Sequence, residues 1–186
     1  MVAVDILQRT GRTARRDDRP RSCGRSLKKK FPSEHLVLLV GEAPRLTASV
    51  LASLLSADLR VRHVLPGNAA RSLGNDRYEA NLQDPNSLTT LHELIRGNDN
   101  LTVGCVINFL GVSESVLTAS ARKSSVPLDT ALATFHVLKE FEADLDASSK
   151  IGGGWVINIT GLGGSFGVEE PPKQGLAAAG TLGIIK

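Results

Sequence analysis

The chain of 186 residues predicts an α/β fold of the Rossmann type: a mostly parallel sheet with helices on both faces, in a truncated form. Three observations carry that expectation. Short apolar runs alternate with stretches of helical periodicity from Pro32 onward; the runs are continuous, as in strands covered on both faces; and no hairpin signal separates the main strands.

His35-Leu36-Val37-Leu38-Leu39-Val40 is the first such run, ended by Gly41. Pro44 suits a first helical turn, where its missing N–H costs nothing, and Leu46, Val50, Leu51, Leu54 and Leu55 recur at three- and four-residue steps. Leu59 to Leu65 is the next strand, closed by Pro66-Gly67-Asn68, which completes a β-α-β unit. Asn68 to Asn86 is polar, with one strand-like piece at Tyr78 to Leu82. Asp84-Pro85-Asn86-Ser87 then caps a helix through Leu88, Leu91, Leu94 and Ile95, stopped by Gly97-Asn98. Leu101 to Leu110 is a strand. Pro127 opens the longest helix, expected to bury Leu128, Ala131, Leu132, Phe135, Leu138, Phe141 and Leu145 and to turn Lys139, Glu140 and Asp144 to water. Trp155 to Ile159 is the last strand and Gln174 to Lys186 the last helix.

Charge divides the chain. Residues 1–30 hold ten Lys or Arg against Asp5, Asp17 and Asp18, a net of +7, so the remainder is mildly acidic although the whole carries +3. Gln8 to Lys30 has too few apolar groups to offset the entropy of ordering, which places a basic, disordered tail over residues 1–33 and a Rossmann-like domain over residues 34–186. The tail is read as a solvated segment and not as a nucleic-acid-binding one, and no membrane partner is expected. Two cysteines, Cys23 and Cys105, do not make a disulfide framework, which favours a reducing, cytoplasmic setting.

Thr160 to Gly167 reads TGLGGSFG, a glycine-rich turn directly after a strand. A dinucleotide cradle needs Gly-x-Gly-x-x-Gly leading into a helix whose free N–H groups face the pyrophosphate. Gly161 and Gly163 fit, with Thr160 and Gly164 beside them, but Phe166 takes the third glycine's place. Glu169 and Glu170 add negative charge, and Pro171-Pro172 delays the helix. The turn after the first strand, Gly41-Glu42-Ala43-Pro44, offers one glycine, a carboxylate and a proline. The expectation is that this chain alone binds no cofactor. The alternative is a small NAD(P)-binding oxidoreductase that uses the turn at residues 160–167, with Thr160, Gly161, Gly163 and Gly164 as its cofactor contacts.

Catalytic groups are equally sparse. Short-chain dehydrogenases use a tyrosine with a lysine four positions later, so that the ammonium lowers the phenol's pKa. The single tyrosine, Tyr78, has Leu82 at that position. His35, His63, His92 and His136 share no metal-ligand spacing and are read as boundary residues, without a metal site. Ser124, Ser125, Ser148 and Ser149 read as caps or loops. Glu140, Glu142, Asp144 and Asp146 read as a solvated acidic helix end.

The closing stretch, GGGWVINITGLGGSFGVEEPPKQGLAAAGTLGIIK, resembles the end of the structural subdomain of ketoreductase regions in modular polyketide synthases and polyunsaturated fatty acid synthases. Trp155 to Thr160 matches the strand, and Gln174 to Gly183 the small-residue helix. The helix from Pro127 and the run HLVLLVGEAP are similar to the family's preceding helix and opening strand. Gly161 stands where the family often has Arg. The resemblance implies a non-catalytic supporting half. Its partner, in cis or in trans, is a catalytic half that carries the NADPH-binding glycines and the active-site Ser, Tyr and Lys. No catalytic residue is assigned to this chain, and oligomerisation is left open.

Overall fold

A computed structural model describes residues 3–8, 31–32, 34–97, 101–112 and 126–160. Its seven strands form one sheet: β1 (Ala3–Gln8), β2 (His35–Val40), β3 (Arg60–Pro66), β4 (Arg71–Gly74), β5 (Arg77–Ala80), β6 (Thr102–Asn108) and β7 (Trp155–Thr160). Four α-helices accompany them among the described residues: α1 (Pro44–Ser56), α2 (Pro85–Arg96), α3 (Val126–Glu140) and α4 (Glu142–Ser149). The strand order is β1-β7-β6-β2-β3-β5-β4. The five inner strands are parallel, and the two edges, β1 and β4, run antiparallel to their neighbours. With β2 as the first inner strand, the chain fills one side through β3 and β5, then returns to fill the other through β6 and β7. That is the Rossmann order, with its reversal between β2 and β6.

The continuous apolar run at β2 is explained by its central place. Leu36, Leu38 and Val40 join a cluster with Leu88, Leu91, Ile95, Val137 and Phe141, so α2, α3 and α4 cover that face. Val37 and Leu39 join Val61, Cys105, Ile107 and Phe109 on the other, against Leu46, Val50, Leu51 and Leu54 of α1. Each fully buried Leu or Val contributes about 1.5–3 kcal/mol relative to exposure, which makes this strand the energetic centre of the sheet. Helix α2 follows its expected pattern: Asp84 Oδ1 accepts the Asn86 N–H at 3.1 Å, Pro85 opens the first turn, Gly97 ends the helix at φ 50°, and Leu88, Leu91 and Ile95 face inward.

Four expectations are corrected. Residues 3–8, assigned to the tail, form the edge strand β1 paired with β7; residues 9–30 lie outside the described residues. The polar stretch after β3 contains a hairpin, β4–β5, whose turn residues Asn75 (φ 50°) and Asp76 (φ 57°) both adopt the left-handed conformation of a type I′ turn. This hairpin takes the place of the helix that would otherwise connect β3 to β5. The face it leaves open is polar, with Glu79 paired to Arg71 at 2.6 Å. The helix from Pro127 is interrupted at Phe141 (φ −93°, ψ 9°) and resumes as α4. Finally, its inward side is Thr130, Ala133, Thr134, Val137, Phe141, Asp144, Leu145 and Ser148, while Leu132 and Phe135 are 41% and 48% exposed. Counting apolar positions missed the two threonines, which face inward because Thr134 Oγ1 meets the buried Asn108 amide at 3.2 Å and donates to the Thr130 carbonyl at 2.9 Å.

No described helix is long and apolar enough to cross a membrane.

Candidate functional site

In an open α/β sheet a ligand site forms beyond the carboxyl ends of the strands, where the strand order reverses. Here that point lies past Val40 and Asn108. Gly41 leaves β2 at φ +85°, and a Cβ there would come within 3.0 Å of the Leu110 side chain and 3.1 Å of the Leu110 nitrogen. Glycine is therefore required both by conformation and by space. The space itself is taken: Leu110 and Gly111, in the short 3₁₀ turn Leu110–Val112, are buried against it.

Four of the amides at this point already have partners. Gly41 N–H donates to the Val64 carbonyl at 2.9 Å, and Phe109 N–H to the Val40 carbonyl at 2.7 Å. Ala43 N–H donates to Thr47 Oγ1 at 2.9 Å, while Leu110 N–H donates to Asn108 Oδ1 at 3.0 Å. Pro44 has no N–H to offer. Asn108 is held in turn by Asn158, whose Oδ1 accepts from Asn108 Nδ2 at 2.9 Å. These buried amides tie the ends of β6 and β7 together and seat Leu110 in the crevice. His63 closes the arrangement below: its Nε2 lies 2.9 Å from the Gly41 carbonyl, which can only accept, so Nε2 carries the proton.

The glycine-rich turn is largely outside the described residues. Thr160 ends β7; Gly161, Gly163 and Gly164 lie beyond. Tyr78 sits on β5 in the core, 7% exposed, with its hydroxyl 3.0 Å from Arg62 Nη1. Arg62 also pairs with Asp76 and lies over the Tyr78 ring, which anchors the hairpin to β3. Among the described residues no group of His, Cys, Asp and Glu could hold a metal ion. Cys105 is buried, and burial pushes its thiol up to about 12, too high for a nucleophile at neutral pH.

The acidic helix end is where the sequence reading fails most clearly. Asp144 is 3% exposed. Its carboxylate accepts the Val103 N–H at 3.0 Å and Arg96 Nη2 at 2.5 Å, and it lies 3.3 Å from His92 Nε2. Burial raises its pKa, but the bonds from His92, Val103 and Arg96 outweigh that and hold it at about 2. His92 Nδ1 lies 3.0 Å from Glu140 Oε1, and its ring packs on Phe141 with centroids 4.6 Å apart. The signal was present in the spacing. His92 and Arg96 on one helix, and Glu140 and Asp144 on another segment, each stand four apart and so share a face. His35 and His63 are buried as well, 5% and 6% exposed, and not boundary residues. Among the described residues His35 Nδ1 has no hydrogen-bond partner, and burial lowers its pKa, so it stays neutral near pH 7. Ser148 donates to the Val103 carbonyl at 3.3 Å and Ser149 to the Asp146 carbonyl at 2.8 Å; both close the end of α4.

No protein-family model matches the chain. No curated protein matches it either. Among solved structures it is similar to the crystal structure of an N-terminal ketoreductase from macrolactin assembly line, with a TM-score of 0.44 and 16% identity, over 77% of this chain and 26% of that one. The chain thus spans about a quarter of that protein's length. The fold assignment rests on the strand order and not on this likeness.

Proposed function

We propose that this chain is a non-catalytic Rossmann-like half of a ketoreductase in a polyketide or polyunsaturated fatty acid synthase, supporting a catalytic half that binds NADPH. One observation carries the reading: the crevice where a dinucleotide would sit is filled by Leu110, and the amides of Gly41, Ala43, Phe109 and Leu110 are spent on protein acceptors. Glu42, exposed at the same entrance, adds a repelling carboxylate. The resemblance of the closing stretch to the structural subdomain of such synthases supplies the class.

The outward side of α3 supports a packing role. Leu132 and Phe135, one turn apart, are the large apolar side chains exposed on that helix among the described residues, beside Lys139. An amphipathic surface helix would hide such a pair; here a second apolar side faces away from the sheet, as expected of a helix that packs on two bodies.

Calorimetry with NADPH tests the cofactor half of the reading, with no binding expected. A micromolar Kd would refute it and favour the oxidoreductase that uses residues 160–167. Co-purification with a catalytic ketoreductase half tests the partner half. The double variant Leu132→Glu, Phe135→Glu should weaken that complex at least tenfold and leave the fold intact, since both side chains are solvent-exposed. An unchanged complex would remove α3 from the interface.

A further inference from the structure

Both ring nitrogens of His92 face carboxylate oxygens: Nδ1 is 3.0 Å from Glu140 Oε1 and Nε2 is 3.3 Å from Asp144 Oδ2. A neutral imidazole carries one N–H, so one carboxylate would meet a ring lone pair. Only the imidazolium satisfies both. The side chains sit on three elements: His92 and Arg96 on α2, Glu140 at the end of α3, Asp144 on α4. The charges that face His92 are Glu140, Asp144 and Arg96, and its ring also packs against that of Phe141, tilted by 52°. With the proton in place two positive groups meet two negative ones. Without it, the cation that remains is Arg96, which pairs with Asp144; Asp144 keeps the Val103 N–H and Glu140 the Thr89 hydroxyl, and neither carboxylate has a charged partner on His92. His35 cannot substitute, because it is held neutral by burial.

We propose that His92 is a proton-operated latch: as imidazolium it bridges α3 to α4 and holds α2 against both, and on losing its proton it loosens α2 from that pair. Burial opposes the charge, but the hydrogen bonds to Asp144 and Glu140 prevail, and the pKa is raised above 6.5. The sign follows. A raised pKa means that the contribution is fully present below pH 6.5 and is lost as pH climbs through the folded value. The latch tightens on acidification and opens as pH climbs past the raised folded value, whether or not the chain supports a ketoreductase.

Nitrogen-detected NMR of the histidine rings in the full chain is the test. At pH 6 both His92 nitrogens should be protonated, with a midpoint above 6.5 that Glu140→Gln lowers. Amide protection factors along α2, corrected for intrinsic exchange, should fall between pH 6 and pH 9. The fall should be about tenfold for each unit by which the midpoint exceeds 6.5. In His92→Gln they should be flat. A single neutral tautomer at pH 6, a midpoint at or below 6.5, or an equal fall in His92→Gln would each overturn the proposal. The ring titration of the unmodified chain decides the matter even if the glutamine variant fails to fold.

Discussion

Replacing Asp144 by alanine removes the acceptor that joins α4 to β6 and α2. The Val103 N–H, buried at the start of β6, then has no partner, which costs about 1–3 kcal/mol. Breaking a buried ion pair costs about 3–5 kcal/mol, but Arg96 is 43% exposed and can turn to water, so the lower part of that range applies. The two costs overlap, and about 3–4 kcal/mol is expected. At about 2–4 °C per kcal/mol for a chain of this size, the melting temperature should drop by about 6–16 °C. Asp144→Asn keeps one acceptor oxygen and should lose about half as much. An acid limb separates charge from shape. With a folded pKa of about 2 against an ordinary 3.8, the carboxylate's contribution is present above pH 4 and lost as pH falls toward 2. That limb amounts to about 2 kcal/mol and should be missing in Asp144→Asn. Urea denaturation at pH 7 and again at pH 3, where about half of the limb is already lost, measures both. If Asp144→Ala stays within about 1 kcal/mol of the parent, the carboxylate is solvated and the network has no hold on the helices.

Leu110→Ala should destabilise by about 2–4 kcal/mol in the same denaturation assay, because a side chain only 4% exposed fills the crevice at the sheet's reversal. Two glycines with the same left-handed backbone distinguish crowding from strain. Gly74→Ala (φ +81°, nothing within 4 Å of the added Cβ) should cost about 1–2 kcal/mol. Gly154→Ala (φ +78°, 2.6 Å from Ser149 Cβ and 2.7 Å from the Leu145 carbonyl) should cost at least about 2 kcal/mol more. Equal losses at the two sites would mean that α4 gives way freely.

Much of the sheet could be read from the chain. Strands buried on both sides, such as His35–Val40, are written as unbroken apolar runs, and the capped start of α2 is written in Asp84-Pro85. What could not be read was tertiary in origin. Thr130 and Thr134 count as polar, yet they face inward because Asn108 meets Thr134, so the expected stripe is right at Leu138, Phe141 and Leu145 and wrong at Leu132 and Phe135. Asp144 looked like one more exposed acid until Arg96, His92 and the Val103 N–H came into contact with it across 41 to 52 residues of sequence. The β4–β5 turn was legible and missed: Gly74-Asn75-Asp76 carries residues that tolerate left-handed backbone. Of the candidate site, the unsuitability of Gly41-Glu42-Ala43-Pro44 was visible in its proline and carboxylate. Its occupation by Leu110 was not, since nothing in the sequence links residue 41 to residue 110.

Ala3 lies opposite Thr160 and Gln8 opposite Trp155, so the first strand of the chain is hydrogen-bonded to the last one described. At a synthesis rate of 5–20 residues per second, β1 waits roughly ten to thirty seconds before its partner leaves the ribosome. The sheet cannot finish one border until then, and in that interval the nascent chain offers an unpaired ribbon to chaperones and to other nascent chains alike.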